Sequence, residues 1–462
     1  MRAWLLLLGI LGTPVLSFPH RVAARRVAPR TSVVTNMSYL DDGTIRVGVD
    51  LNMGGVITYL SKSSDSYNVI NIHDYGREVQ QSYYSGPNPY GDPHPDWPWN
   101  PIGAGDGYGH PSRVVASSND GKTIYVLTLP MQWAIEDVPC ECYFESWITL
   151  DGQAVTMRYR LTNHRSDLSR YGSYGQELPA VYTVGKLWRI FTYDGQAPFT
   201  ADPVREVPFV GGNPWIGIVP TENWVALVND SGWGLGVLNT EVSFFLAGTA
   251  DTPDVGGPND DNTGYIAPVG DEILDHNVTY DYEASLILGT VAEIRAYAVA
   301  HRRVETRPDL HFSVDGFQED RRHVTYVNAS DSGLPIQGGL HVLLDEIDPE
   351  IWLPESRWDA ESLPTLYLTA AFHTHETTAE VFWAVPGQSF DGSRRLEFTI
   401  VPDGQMRTYA IPLWSSPTYA GTITRLRLDP SGGGISGDWV EIASMSFQPE
   451  LAGRGPRVVT RP

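Results

Sequence analysis

Residues 73–86 and 94–100 contain the side chains of this chain that could do chemistry. They read HDYGREVQQSYYSG and HPDWPWN, so carboxylates, amides, imidazoles, an arginine and aromatic rings lie close together in sequence. Glycine interrupts the first segment and proline the second, and neither has a helical repeat, so we expect loops and short strands. The flat C–H faces of a sugar ring stack on indole or phenol rings, and sugar hydroxyls need polar partners. This combination favours a carbohydrate-binding cleft but does not by itself define a reaction.

Two carboxylates and a histidine are the candidate catalytic groups. Glycoside hydrolysis commonly uses two carboxyl groups on either side of one bond, and Glu177 in GQELPA and Asp74 in HDYGR are predicted to be that pair. His73 could transfer a proton, because histidine changes charge near neutral pH. Each residue also has a structural alternative. Glu177 could form an ion pair at a strand end, Asp74 could accept backbone N–H groups in a turn, and His73 could be buried and hydrogen-bonded.

The same region offers side chains for binding a substrate. Arg77 has a planar guanidinium that can hold two oxygens at once, and the residues predicted to bind substrate beside it are Gln81, Tyr83 and Tyr84. In an alternative reaction, β-elimination on a uronide, Tyr83 or Tyr84 would abstract a proton while Arg77 neutralises the carboxylate. The tyrosines could instead pack within a sheet.

Trp97 and Trp99 flank a proline, which predicts an extended loop that presents two indole rings. Such a pair could form a stacking platform for sugar rings, or it could anchor the loop by packing. The histidines and aspartates nearby match no metal-ligand spacing, so no cofactor or catalytic metal is predicted. A structural calcium ion could bind to residues 103–107, which are rich in glycine and contain an aspartate.

The net charge restricts the partners of the chain. Its 462 residues include 32 Lys and Arg against 55 Asp and Glu, which gives a formal charge of −23. Affinity for nucleic acid comes largely from Lys and Arg, so neither nucleic acid nor an anionic membrane surface is expected to bind. A sulfated or uronic polymer would also be repelled, except where basic residues cluster locally. Nothing in the sequence indicates an oligomeric state.

The N-terminus predicts export. Residues 1–17 have the basic start, short apolar run and small residues of a signal peptide, and residues 18–32 read as a disordered basic leader. No later apolar run is long enough to span a bilayer, so we expect a secreted, extracellular protein without membrane insertion. Sequons for N-glycosylation, which agree with a secretory route, begin at Asn36, Asn229, Asn277 and Asn328.

The order of apolar and polar residues predicts an all-β protein. Short segments alternate with period two between Gly, Pro, Asn or Asp breaks, and no helix is predicted. Asp151 and Gly152 predict a tight hairpin. The charged stretch at residues 301–309 divides the chain into a large sandwich at 33–305 and a smaller one at 306–450, followed by a tail at 451–462. Cys140 and Cys142 are expected to be free thiols, because a bridge between positions two apart on a strand would be strained.

Residues 33–305 resemble the β-supersandwich shared by galactose mutarotases and several polysaccharide-active enzymes. The similar segments are GGVITYLS at 54–61, NVINIHDYGREVQ at 68–80 and WITLDGQAVTMRYRLTNH at 147–164. The resemblance implies an antiparallel supersandwich in which Glu177 lies on a concave, ligand-binding face.

Residues 306–450 resemble the jelly-roll carbohydrate-binding modules that accompany many secreted carbohydrate-active enzymes. The similar segments are AEVFW at 379–383, RRLEFTI at 394–400, MRTYAIPL at 406–413 and GTITRLRLDP at 421–430. This resemblance implies an ancillary role for the second sandwich.

Together these features predict a secreted enzyme that cleaves an extracellular polysaccharide or glycan. Hydrolysis by the Glu177 and Asp74 pair is favoured. One alternative is a polysaccharide lyase that uses Tyr or His with Arg77, and another is a lectin-like or matrix protein that binds glycans without cleaving them.

Overall fold

The protein is built almost entirely from antiparallel strands, which confirms the predicted all-β class. The computed structural model describes residues 36–87, 99–208, 215–303, 307–312 and 321–449. The predicted signal peptide, basic leader and C-terminal tail lie outside these ranges. None of the helices within them is long and apolar enough to cross a lipid bilayer.

The strands and the helix are as follows. Between residues 37 and 290 the strands are β1 (Met37–Asp41), β2 (Ile45–Asp50), β3 (Val56–Lys62), β4 (Val79–Ser82), β5 (Pro101–Ile102), β6 (Arg113–Asn119), β7 (Thr123–Leu129), β8 (Met131–Gln132), β9 (Cys142–Asp151), β10 (Ala154–Asn163), β11 (Tyr174–Val184), β12 (Arg189–Thr192), β13 (Arg205–Val207), β14 (Trp215–Ile218), β15 (Trp224–Val228), β16 (Trp233–Leu238), β17 (Phe244–Ala250), β18 (Thr263–Glu272) and β19 (Thr279–Thr290). They are followed by α1 (Val291–Ala300), β20 (Asp309–His311), β21 (Thr325–Val327), β22 (Ser330–Asp331), β23 (Leu340–Leu343), β24 (Glu350–Trp352), β25 (Trp358–Asp359), β26 (Leu366–His373), β27 (Thr378–Ala384), β28 (Arg395–Thr399), β29 (Arg407–Ile411), β30 (Thr422–Ile423), β31 (Arg425–Asp429) and β32 (Trp439–Ser446).

Strands β1 to β19 form two large sheets that pack face to face. In the described residues the first sheet has ten strands, in the order β1-β2-β3-β4-β11-β18-β17-β14, with β5 joined to β4 and β8 joined to β5. The second sheet has nine, in the order β13-β12-β15-β16-β19-β10-β9-β7-β6. Their shared core includes Leu60 and Val181 from the first sheet and Val126 and Leu286 from the second. We call this pair of sheets the first sandwich.

The hairpin of β9 and β10 shows how the sequence sets this architecture. Along β10 the buried residues Val155, Met157 and Tyr159 alternate with more exposed ones, as one covered face requires. Gly152 has a φ of 58° in the tight turn that joins the two strands, and Asp151 pairs with Ala154 across it. The predicted hairpin is therefore confirmed.

A helix that the sequence interpretation did not predict covers part of the second sheet. Helix α1 begins with a capping box, in which Thr290 and Glu293 exchange side-chain and backbone hydrogen bonds. Its buried residues Ile294 and Ala298 pack with Trp224 on the outer face of that sheet. The prediction that the chain has no helix is wrong for this segment.

Strands β20 to β32 form a second, smaller sandwich. One of its sheets has six described strands, in the order β22-β23-β32-β26-β29 with β20 beside β32, and the other has five, in the order β21-β24-β31-β27-β28. Strands β25 and β30 form a separate pair. A single core between the larger sheets includes Leu368, Phe372, Trp383 and Leu428. The likeness of this sandwich to carbohydrate-binding modules stays a prediction.

The two cysteines differ from the expectation of free thiols. Cys140 and Cys142 form a disulfide, with their Cα atoms 5.1 Å apart. Cys140 lies just before β9, where its backbone N–H bonds to the carbonyl of Pro130, so the pair is at the start of the strand rather than within it. The expectation was wrong because it placed both residues in regular extended backbone.

Charged groups join the two sandwiches through a buried contact at His323. Its Nδ1 lies 2.8 Å from the Glu272 carboxylate of β18, and its Nε2 lies 3.5 Å from the Glu241 carboxylate. Burial by itself would lower the pKa of His323, but these two carboxylates raise the pKa to about 9. The protonated imidazole therefore ties the second sandwich to the first.

We expect this contact to lose its stabilising effect as the pH rises. The folded pKa lies above the ordinary histidine value, so the contribution is complete below about pH 6.5 and is lost as the pH rises to about 9. The size of the shift corresponds to a loss on the order of 3 kcal/mol. The free energy of unfolding of the native protein should fall across this interval, and that of a His323→Gln variant should fall much less. A matched His301→Gln change, at a more exposed histidine, should leave the pH dependence as it is. An unaltered pH dependence in His323→Gln would contradict the assignment.

Candidate functional site

Glu177 lies in the middle of the first sheet, on strand β11. It is paired with Ser82 of β4 on one side and with Val269 of β18 on the other. The following residue, Leu178, belongs to the core between the two sheets, so the Glu177 side chain points to the opposite, outer face. The side chain is 7% exposed.

Two tyrosines hold the carboxylate of Glu177. The Tyr84 hydroxyl donates to Oε2 over 3.0 Å, and the Tyr265 hydroxyl of β18 donates to Oε1. Burial, followed by the negative charge of Glu177, raises the pKa of both phenols well above the usual value. Both phenols therefore keep their protons at neutral pH and act as donors, and the carboxylate is fixed in one orientation as an acceptor.

Aromatic rings surround this carboxylate on the outer face. The Tyr265 ring lies 4.8 Å from that of Tyr182 and 4.6 Å from that of Trp215, measured between ring centroids. Tyr182 and Trp215 are half-buried and pack against the small apolar cluster that includes Tyr265 and Val269. We call the surface formed by Tyr84, Glu177, Tyr182, Trp215 and Tyr265 the Glu177 face.

The loop before β4 carries the other predicted catalytic and binding groups. Asp74 accepts the backbone N–H of Gly76 over 2.9 Å and lies 3.4 Å from Nε of Arg77, so it caps a turn and forms an ion pair at once. Arg77 also donates to the carbonyl and the carboxylate of Asp261. His73 is partly exposed, and its Nδ1 lies 2.9 Å from the carbonyl oxygen of Asn259. The loop is thus fastened to the segment just before β18.

Tyr182 connects this loop to the Glu177 face electrostatically. Burial, and then the charge of Glu177, raise the pKa of Tyr182, while the positive charge of Arg77 lowers it and that of Asp74 raises it. The phenol therefore lies within electrostatic reach of both the loop and the strand. The backbone N–H of Tyr182 also bonds to the carbonyl of Glu78 at the end of this loop, over 2.8 Å, so the loop lies next to β11.

Three of the residues predicted to bind substrate are instead in the core. Tyr83 is fully buried, where its ring packs against those of Phe144 and Tyr280. Gln81 is also buried, and its amide donates to the carbonyl of Glu145 in the second sheet. Trp99 is buried in the same core. These predictions are wrong because the side chains face the second sheet. Trp97 lies outside the described residues.

Sequence reasoning missed the tyrosines and the tryptophan that complete the Glu177 face. Tyr182 was within reach, because it falls in the same YGQELPAVY segment as Glu177. Tyr265 and Trp215 are on strands far away in the chain. Only the order of strands in the first sheet places β18 beside β11 and brings the Trp215 ring of β14 against that of Tyr265.

The sequons occupy different surroundings. Asn36 and Asn328 are exposed. Asn229 is half-buried and accepts the backbone N–H groups of Ser231 and Trp233 in the turn between β15 and β16. Asn277 is half-buried, and its amide donates to the carbonyl of Leu334 in the second sandwich.

Acidic groups that could hold a metal ion lie elsewhere. In the suggested calcium loop, Asp106 accepts from the backbone N–H groups of Tyr108, His110 and Asp137, so its oxygens are already used. Among the described residues the carboxylates of Asp348, Glu350 and Asp429 can bring one oxygen each within 4.8 Å of one another. Arg427 forms ion pairs with Glu350 and Asp429, so this cluster already contains a cation.

Two clefts in the described surface are lined by residues other than Glu177. One is next to Trp233 and Asn229 on the first sandwich. The other, of about 210 Å³, lies between the sandwiches and is lined by three arginines.

Comparisons with known proteins give weak likenesses. No protein-family model and no curated protein sequence matches the chain. Among solved structures it is similar to a galactose mutarotase-like protein from Lactobacillus casei, with 10% identity over 55% of this chain and 99% of that chain and a TM-score of 0.34. An alpha-galactosidase from Geobacillus stearothermophilus shows 10% identity over 57% of this chain and 41% of that chain, with a TM-score of 0.34. A 4-alpha-glucanotransferase from Thermococcus litoralis shows 10% identity over 58% of this chain and 40% of that chain, with a TM-score of 0.33. Likenesses of this strength do not assign an activity to the chain.

Proposed function

We propose that the chain is a secreted carbohydrate-active enzyme that hydrolyses an extracellular polysaccharide or glycan on the Glu177 face. The observation that carries the proposal is the carboxylate of Glu177, which is held by two phenolic hydroxyls among aromatic rings. A sugar ring would stack on Trp215, and Glu177 would accept a proton from the attacking water or from a sugar hydroxyl.

The Arg77 loop would supply the remaining groups. Two-carboxylate hydrolysis needs a proton donor for the leaving oxygen as well as a proton acceptor. The partly exposed His73 would give that proton in this scheme, because Asp74 acts only as an acceptor in its ion pair with Arg77 and in its hydrogen bond from the backbone N–H of Gly76. Arg77 would act by fixing the position of Asp74, with which it is paired.

Elimination has less support from the same residues. A tyrosine base must lose its proton, whereas burial raises the pKa of Tyr84 well above the usual value. Arg77 would have to neutralise a uronate, but it is already paired with Asp74 and Asp261. Hydrolysis requires neither a deprotonated tyrosine nor an Arg77 released from its ion pairs.

Glycan binding without cleavage is the second candidate function. It is favoured by one observation, which is that both oxygens of Glu177 already accept internal hydrogen bonds and that the side chain is largely buried. A panel of extracellular glycans incubated with the purified protein separates the two. Shortened products with a new reducing end support hydrolysis, unsaturated products support elimination, and binding without any product supports the lectin-like function.

Removal of the Trp215 ring should weaken glycan binding whether the protein cleaves the glycan or only binds it. We expect a Trp215→Ala protein to bind a glycan from the panel roughly fivefold more weakly, since a lost aromatic stack costs about 1 kcal/mol. Titration calorimetry measures the change. A Trp414→Ala protein is the matched control, because Trp414 is exposed on the second sandwich. Equal affinities for the two variants would count against the Glu177 face as the binding surface.

A further inference from the structure

We propose that the cleft between the two sandwiches binds the anionic group of an acidic sugar, either a carboxylate or a sulfate. We call it the arginine cleft and define it by Arg303, Arg357, Arg425, Glu355, Trp352 and Ser243. In a chain with a formal charge of −23, such a concentration of arginines is a local exception. It therefore marks a place where an anion would be attracted rather than repelled.

Within the described ranges, most N–H donors of the three arginines have no protein acceptor. Arg303 donates once to the carbonyl of Glu355, Arg357 once to that of Thr221, and Arg425 once to that of Leu353. None of the three forms an ion pair within 4.0 Å in the part of the chain that the structure describes. Burial lowers the pKa of each guanidinium, because the charge loses contact with water. A bound oxyanion would supply the missing counter-charge and accept two N–H groups from one guanidinium fork.

The carboxylates around the cleft leave a positive balance. The negative charge of Glu355 acts on all three arginines, and its carboxylate accepts the Ser243 hydroxyl over 2.7 Å. Asp271 of β18 also acts on Arg425. The other acidic groups nearby have their own cations, as Glu241 pairs with Arg322, Glu272 with His323 and Glu222 with Arg295. Three guanidinium charges against two carboxylates leave an excess of one positive charge.

The size and the aromatic wall of the cleft suit a single sugar unit. The volume of about 210 Å³ is below the roughly 300–1,000 Å³ of pockets that hold drug-sized ligands. The half-buried ring of Trp352 lies against Phe390, and Arg425 lies 5.1 Å from the centroid of its ring. An indole beside a guanidinium can stack a sugar ring and bind its anionic substituent together.

The arginine cleft adjoins the Glu177 face through strands β17 and β18. Ser243 in the cleft directly precedes Phe244, which packs against the cluster that contains Tyr265. Asp271, which acts on Arg425, is on the same strand as Tyr265. The naming of an acidic glycan as the substrate rests on the function proposed above. In that case the cleft would hold one sugar unit of a glycan that extends to Glu177. The affinity of the cleft for an anionic sugar does not depend on cleavage.

Binding of small sugars to the full chain tests the cleft. We expect D-glucuronate or glucose 6-sulfate to bind at least tenfold more tightly than D-glucose, as measured by ligand-observed NMR titration. The preferred anion identifies which of the two groups the cleft takes. The preference should disappear in Arg357→Met and in Arg303→Met, and it should persist in Arg407→Met. That control makes the same change in net charge at an exposed ion pair with Asp403.

The outcomes separate this inference from the proposed function. The proposal of an anion site in the arginine cleft would be overturned if the anionic sugars bound no more tightly than glucose. It would also be overturned if Arg357→Met and Arg407→Met lost the preference for anionic sugars to the same extent. Two arginine variants are used because one of them could misfold, which thermal unfolding would detect. The other variant would then still test whether the preference for anionic sugars depends on the cleft. The titration is repeated with Glu177→Gln. Retained binding there, without turnover of any glycan by the native protein, would refute hydrolysis but keep the cleft.

Discussion

A Glu177→Gln protein should fold and should lose at least about a hundredfold in turnover of its glycan substrate. An amide has the shape of the carboxylate but cannot take up a proton, and positioned acid–base groups typically contribute 10²- to 10⁴-fold. The amide can also accept only one of the two phenolic hydroxyls that reach Glu177 from Tyr84 and Tyr265. We therefore expect the free energy of unfolding to fall by about 1–3 kcal/mol, the cost of one buried donor without a partner.

The measurement is kcat/KM together with the melting temperature of each variant. A matched control is Glu145→Gln, because Glu145 also accepts a tyrosine hydroxyl, that of Tyr125 over 2.8 Å, but does so in the second sheet. The control should keep its turnover. Activity of Glu177→Gln within twofold of the native protein would remove Glu177 from the mechanism, and so would an equal loss in Glu145→Gln.

An Arg321→Met protein should lose more free energy of unfolding than the His323→Gln, Glu177→Gln or Arg395→Met protein. Arg321 is 4% exposed, and its Nη2 lies 3.0 Å from Asp331 and 3.2 Å from Asp275 of the first sandwich. Burial opposes the charge, but the two carboxylates hold the pKa of Arg321 above its ordinary value. Removal of the guanidinium leaves two buried carboxylates without their cation, which costs about 3–5 kcal/mol.

Urea unfolding at neutral pH measures this loss. The control is Arg395→Met, which breaks a half-exposed ion pair with Glu380 and should change the free energy of unfolding by less than about 1 kcal/mol. We expect the unfolding transition of Arg321→Met to separate into two steps, since Asp275 and Arg321 belong to different sandwiches. A loss no larger than that of the control would show that the three charges do not contribute to stability as a group.

The two residues that directly follow β4 show why the site could be predicted only in part. Tyr83 and Tyr84 are adjacent, and adjacent side chains near a strand point to opposite sides of the sheet. All four residues of β4 are buried, so its sequence lacks the alternation that would identify the core side. Tyr84 reaches Glu177, whereas Tyr83 packs in the core. A shift of one residue in register would exchange the two tyrosines.

Helix α1 and the disulfide show two other kinds of error. A capping box is visible in the sequence as a Thr three residues before a Glu, so the helix could have been predicted from Thr290 and Glu293. The link between Cys140 and Cys142 could not, since it depends on a turn that removes Cys140 from regular strand geometry.

The sequence by itself determined the class of the fold and the types of chemical group present. Period-two alternation and turn residues such as Gly152 act locally, so the all-β architecture and the β9–β10 hairpin could be derived without any contact between distant segments. The tertiary structure decided which groups meet. Tyr265 reaches Glu177, and Trp215 packs on Tyr265, because β18 and β14 take particular places in the first sheet. The three arginines meet because two sandwiches pack together. Both are properties of strand order and interface packing, which arise from long-range contacts that no local pattern specifies.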